Sequence, residues 1–144
     1  MFGNKTNRAP RIELSKLSSL IGADIQITGD IRFSGGLRID GRVTGNVIGE
    51  PGEGGGAALL VLSRHGAIDG SLRCAEAVID GAVRGDIVVE RFIDLQSNAR
   101  VQGTLRYQQL RMDVGAVVLG ELLRAGEAAP ADNVVELAAA NERG

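Results

Sequence analysis

From Leu20 onward the chain alternates between apolar and polar positions. The clearest stretch is Ile39-Asp40-Gly41-Arg42-Val43-Thr44-Gly45-Asn46-Val47, where apolar residues and glycines fill every second place. The unit inside it, apolar-x-Gly-x-apolar, recurs at Ile27-Gly29-Ile31, Val43-Gly45-Val47, Ile68-Gly70-Leu72, Ile79-Gly81-Val83, Val83-Gly85-Ile87, Val101-Gly103-Leu105 and Val118-Gly120-Leu122. Period-two alternation predicts strands with one buried face. Glycines at fixed offsets predict bends, where a side chain does not fit or a positive φ is needed.

The spacing of those glycines sets the architecture. Gly85 to Gly103 is 18 residues and Gly103 to Gly120 is 17. Gly45 to Gly70 is 25, but that interval contains the eight-residue loop Glu50-Pro51-Gly52-Glu53-Gly54-Gly55-Gly56-Ala57, and without it the spacing is again 17. A period of 17–18 is an internal repeat. No helical pattern lies between the strands, which excludes a βαβ sheet. A hairpin meander needs reversal at its Asp-Gly turns, yet alternation runs straight through Asp40-Gly41, Asp69-Gly70 and Asp80-Gly81 into the next apolar residue. The chain bends there without turning back. Repeated bends with in/out alternation predict an all-β solenoid, a parallel β-helix of about six turns between residues 20 and 124, roughly 30 Å long.

The predicted inward set is Ile25, Ile27, Ile31, Leu37, Ile39, Val43, Val47, Leu60, Leu62, Leu72, Ile79, Val83, Ile87, Val89, Leu95, Val101, Leu105, Leu110, Met112, Val117 and Leu122, with Cys74 beside them as a small apolar residue. Between these, Asp30, Arg32, Arg38, Asp40, Arg42, Arg73, Asp80, Arg84, Asp86, Arg100 and Arg106 face water, where mixed signs favour charge pairs from rung to rung.

Composition narrows the class. Of 144 residues, 44% are hydrophobic but only 3% aromatic, so the core is built from Ile, Leu, Val and Ala. One cysteine excludes an internal disulfide framework and fits a reducing compartment. No apolar run reaches the ~18–20 residues of a membrane span and no signal-peptide core is present, so the expectation is a soluble cytoplasmic protein. A net charge of −2 gives no bulk attraction to nucleic acid. The charge is uneven: residues 1–17 carry +3 and residues 126–144 carry −3. The expected organisation is a basic disordered tail over 1–17, a β-helix over 18–124 with its Gly-rich insertion at 50–57, and an acidic disordered tail over 125–144.

The basic tail lacks strand alternation and contains Gly3, Asn4, Asn7 and Pro10. Phe2 is a large apolar residue at a polar tip, followed by Lys5 and Arg8. One inserted aromatic with cations that each add about 1 kcal/mol on an anionic leaflet makes a weak membrane tether. Many copies on one polymer act together through avidity.

Catalytic and ligand-binding chemistry is sparse. His65, the only histidine, lies near Ser63, Asp69 and Ser71 without a nucleophile elbow or triad order. One His and one Cys do not make a zinc site. The glycines at 52–56 are not followed by Gly-Lys-Ser/Thr, so they form no phosphate loop. Tyr107 and Phe92 are isolated aromatics, not a nucleic-acid stacking surface. No nucleotide, metal or other cofactor is expected.

The run SLIGADIQITGDIRFSGGLRIDGRVTGNV, the later IDGAVRGDIVV and the closing GAVVLGEL resemble the bactofilins, bacterial cytoskeletal proteins, over residues 20–124. The MFG start with its following lysine resembles that family's membrane-associating tip. The resemblance implies a right-handed, three-sided coil that polymerises end to end without nucleotide into nonpolar filaments, with partners in cell-wall synthesis or morphogenesis and a place on the inner face of the cell membrane. Two features depart from the family: the 50–57 insertion, and Val117-Val118-Leu119 where members often carry an aromatic.

Polymerisation also follows physically. A β-helix has two open ends, which soluble solenoids cover with polar caps. Here the first turn (Leu20, Ile21, Ile25, Ile27) and the last (Leu110, Met112, Val117, Val118, Leu119, Leu122) are as apolar as the middle, and these residues are the predicted self-association surfaces. Capping is the competing outcome, by Ile12, Leu14 and Leu17 at one end or by the 133–140 segment at the other. Two other functions compete: a left-handed hexapeptide-repeat acyltransferase using His65, disfavoured because the bends are not six residues apart, and a monomeric binding module using one flat β face.

Overall fold

The structure is a computed structural model that describes residues 17–125. Fourteen strands follow one another: β1 Leu17–Ile21, β2 Gln26–Thr28, β3 Ile31–Ser34, β4 Gly36–Ile39, β5 Arg42–Thr44, β6 Val47–Glu50, β7 Leu59–Leu62, β8 Ala67–Asp69, β9 Leu72–Ile79, β10 Ala82–Arg84, β11 Ile87–Leu95, β12 Arg100–Tyr107, β13 Gln109–Met112 and β14 Val117–Arg124. No α-helix occurs among the described residues.

All the strand pairs are parallel, and the pairing winds the chain into six turns with three faces. The first face stacks β1, β4, β7, the ends of β9 and β11, and β13. The second stacks β2, β5, β8, β10 and the starts of β12 and β14. The third stacks β3, β6, the starts of β9 and β11, and the ends of β12 and β14. The structure is thus the predicted parallel solenoid of about six turns.

Register puts like residues above one another. On the second face Ile27, Val43, Ile68, Val83, Val101 and Val118 form one inward column. On the third, Ile31, Val47, Leu72, Ile87, Leu105 and Leu122 form another. From Val43 to Val101 and from Val47 to Leu105 these side chains are at most 1% exposed. Aliphatic stacking of this kind is what a chain nearly free of aromatics can offer, and each fully buried Val, Leu or Ile contributes about 1.5–3 kcal/mol.

The corner between the second and third faces explains the glycine spacing. Gly29, Gly45, Gly70, Gly85, Gly103 and Gly120 all have positive φ, between 128° and 156°. A β-carbon on any of the last five would collide with the carbonyl of the glycine one turn below. The residue after each glycine is polar, and at three of these positions its side chain holds the next rung: Asp30 Oδ1 accepts from the Asn46 amide at 3.0 Å, Asn46 Oδ1 from the Ser71 amide at 3.1 Å, and Asp86 Oδ1 from the Thr104 amide at 3.2 Å. Outward charges pair from rung to rung as expected, in Arg32–Glu50 at 2.9 Å, Arg91–Glu76 at 3.0 Å and Arg111–Asp94 at 3.1 Å.

Two expected inward residues point elsewhere. Ile25 is 45% exposed, because it closes a four-residue corner, donating its amide to the Gly22 carbonyl at 3.0 Å. Val117 lies in register with Arg100 in an outward column, and Val118, in register with Val101, is the inward residue. Six residues of the buried core absent from the predicted set are Ile21, Ala58, Ile68, Ala77, Ile93 and Ala99. The insertion leaves the coil between β6 and β7 and carries a single 3-10 turn at Glu53–Gly55.

Candidate polymerisation surfaces

The two ends of the coil follow from its pairing. Every middle strand is bonded on both edges. By contrast β1 pairs with β4, β2 with β5 and β3 with β6 at one end, while β13 pairs with β11 and β14 with β12 at the other. Among the described residues the outer edges of these five strands have no strand beside them. Each edge is a row of backbone N–H and C=O groups set for parallel or antiparallel addition.

The side chains over these edges are apolar. At the C-terminal end, Leu110, Met112, Val118 and Leu122 continue the inward columns of Ile93, Leu95, Val101 and Leu105. The residues below are at most 1% exposed, whereas Met112 is 43% exposed and Leu110, Val118 and Leu122 are half-buried. The difference is the missing next rung. At the N-terminal end Ile21 is 8% exposed, and Ile27, Ile31 and Phe33 are half-buried against the core. The inward place of Leu37 is taken one rung lower by Ser19, so this end is less apolar than the C-terminal one.

The remaining predicted interface residues are arranged differently. Leu20, 60% exposed, lies in register with Arg38 on the outside of the first face. Leu119, 59% exposed, lies in register with Gln102 on the outside of the second. With Ile25 and Val117 they surround the ends laterally and do not form their floor. Val114, 95% exposed at the last corner, belongs to the same apolar rim; it was absent from the predicted set because a corner residue breaks the alternation that the prediction used. Glu121 occupies the polar place beside Gly120 that Asp30 and Asn46 use to hold the next rung.

Other candidate groups are plainly placed. His65 is exposed on the corner after β7, with its backbone amide donating to Ser63 Oγ at 3.3 Å. Cys74 is buried, and its Sγ donates to the Glu76 carbonyl at 3.3 Å. Burial pushes the thiol pKa up to about 12. No cluster of three or more His, Cys, Asp or Glu residues suited to a metal ion occurs among the described residues. No described helix is long and apolar enough to cross a membrane. Phe2, Lys5 and Arg8, the proposed capping residues Ile12 and Leu14, and the 133–140 segment lie outside the described residues.

Comparison with known proteins bears on the whole coil. A family model described as bactofilin, polymer-forming cytoskeletal, matches residues 19–122. Among solved structures, the chain is similar to one titled as a cryo-EM reconstruction of Thermus thermophilus bactofilin double helical filaments. The identity is 25% and the TM-score 0.59, and the match covers 73% of this chain and 99% of that one. The search of curated proteins gave no match.

Proposed function

The chain belongs to the bactofilin family of polymer-forming cytoskeletal proteins, and from that premise we propose that it assembles end to end, through its two open turns, into nonpolar filaments that need no nucleotide. The observation that carries this reading is the C-terminal end, where Leu110, Met112, Val118 and Leu122 cover an unpaired strand edge. A second molecule stacked there extends both the hydrogen-bond ladders and the inward columns. Apolar burial drives that step, at about 25 cal/mol per Å², and no bond hydrolysis enters it. Like ends meeting about a two-fold axis give a filament without polarity when both ends do so.

The filament is a scaffold at the inner face of the cytoplasmic membrane for cell-wall or morphogenesis proteins, held there by Phe2, Lys5 and Arg8. The family supports the scaffold role and the composition of the N-terminal tail supports the tether.

Negative-stain electron microscopy of purified protein without nucleotide tests assembly. Filaments are expected, and short particles are expected from Met112→Lys and Leu122→Arg, with the β-sheet circular dichroism unchanged. Monomeric wild-type protein at all concentrations would refute the proposal. Liposome co-sedimentation tests the tether: a chain beginning at Leu14 is expected to pellet less than the full chain, and equal pelleting refutes that part alone.

A further inference from the structure

The outside of the first face is unlike the other two. On a solenoid the outward residues meet water, yet Leu59, Val78 and Phe92 are 0%, 8% and 3% exposed. They are not part of the inward core: Leu59 alternates with inward Leu60, Val78 with Ala77 and Ile79, and Phe92 with Ile93. Ala75 and Glu76 beside them are also buried, Glu76 being the only buried charged residue described, with its carboxylate 3.0 Å from Arg91. All the described strands belong to the coil, so none lies over this strip. The 51–58 excursion lies low on this face, with Gly52 against the Ser34–Gly35 corner three rungs below Phe92, so it borders Leu59 but does not account for Val78 and Phe92.

We propose that residues 11–16 of this same chain run up the outside of the first face and cover the strip, with Leu14 near Leu59 and Ile12 near Val78 and Phe92. Three observations select this segment. The first is continuity: register places Leu17 below Gly36, Gly36 below Leu59, Leu59 below Glu76 and Glu76 below Phe92, so the chain leaves the coil at the foot of the very column that is covered. The second is reach. Four rungs of ~4.8 Å make about 19 Å, which an extended chain at ~3.3 Å per residue spans in about six residues. Leu14 then falls about two rungs above Leu17 and Ile12 about three, on the same side of the segment because they stand two apart. The third is charge. Residues 11–16 carry Arg11 and Lys16 against Glu13, a net +1, and the strip is flanked by Glu76, Glu90 and Asp94 with Arg91 and Arg111 paired to Glu76 and Asp94, a net −1; the other tail carries −3 and is the one that charge disfavours.

Docking in this way keeps Ile12 and Leu14 off the open end of the first turn. It also makes Phe2, Lys5 and Arg8 emerge from one particular side of the rod. This inference does not rest on the filament proposal.

Cysteine cross-linking of dilute full-length protein tests it. In a Cys74→Ala background, Ile12→Cys with Val78→Cys is expected to oxidise to a disulfide within one chain, seen as a faster-running monomer on a non-reducing gel. Val135→Cys with Val78→Cys is expected to stay reduced. Disulfide-linked dimers from the first pair assign the strip to a second copy, preferential reaction of the second pair assigns it to the acidic tail, and no reaction of either leaves the strip uncovered by this chain; each outcome overturns the proposal. The tail variant Ile12→Asp with Leu14→Asp, which leaves the coil sequence intact, is expected to raise binding of the apolar dye ANS severalfold. Unchanged dye binding also overturns it.

Discussion

Phe33 occupies the space that a side chain at Gly49 would need: a β-carbon added to that glycine lies 2.8 Å from the tip of the Phe33 ring. The two residues are in register on the third face, Phe33 in the first turn and Gly49 in the second. The largest side chain of the first turn is thus seated by the absence of one above it. The same added atom would lie 2.7 Å from Ala58 Cβ and 3.0 Å from Cys74 Cβ.

Gly49→Ala is therefore expected to cost about 1–3 kcal/mol through overpacking. Phe33→Leu should recover part of the loss, because it removes one of the three contacts. Urea unfolding of both single variants and the double variant measures the coupling, and strictly additive effects would contradict the packing described.

The corner glycines divide into two kinds. Gly85 has φ of 149° and faces the Gly70 carbonyl, so Gly85→Ala combines backbone strain with a clash and is expected to cost about 3 kcal/mol or more. Gly56, in the insertion, has φ of −63° and nothing within 4 Å of an added β-carbon. Gly56→Ala is expected to be neutral or to stabilise by up to about 1 kcal/mol through the unfolded chain. Denaturation midpoints of the two variants test the contrast.

How far the coil was legible follows from a few residues. Ile39-Asp40-Gly41-Arg42-Val43 displays its geometry openly, because its corner is two residues long and each flanking strand keeps its alternation. The corners at 22–25, 63–66, 96–99 and 113–116 are four residues long. Ile25 kept the alternation in sequence but sits in such a corner, where alternation no longer reports direction. Val117-Val118-Leu119 hides the phase in another way, since three apolar residues in a row have none, and register with Val101 alone decides among them. The covered strip at Leu59, Val78 and Phe92 had no local signal, since it depends on what lies across the face.

Val117 and Val118, neighbours in sequence, differ in what a charge costs at each. Val117→Arg is expected to change stability by less than about 0.5 kcal/mol, since its column already carries Arg42 and Arg100. Val118→Arg places a charge against the core and is expected to cost about 1–3 kcal/mol. Thermal unfolding of the two variants separates them, and equal losses would contradict the outward placement of Val117.

Cys74 sets a pH dependence. Burial first, then the nearby charges of Glu90 and Glu76, raises its thiol from the ordinary 9.0 to about 12. The folded state therefore keeps a proton that the unfolded state releases. The resulting stability is fully present below about pH 9 and is lost between about pH 9 and 12, at up to ~1.4 kcal/mol per pH unit. Alkaline unfolding of the wild type should be steeper than that of Cys74→Ala across this window. A thiol reagent at pH 8 should react only as fast as the protein opens.

The stacked glycine corner also governs how such a chain changes length through descent. Each rung hands the next an identical seat, so a duplicated or deleted segment leaves the register intact only when it amounts to a whole turn, 15 to 18 residues here. Smaller additions must be expelled sideways at a corner, as the eight residues between β6 and β7 are. Rod length is thereby inherited in discrete steps, and the termini can be exchanged or extended without rewriting the interior.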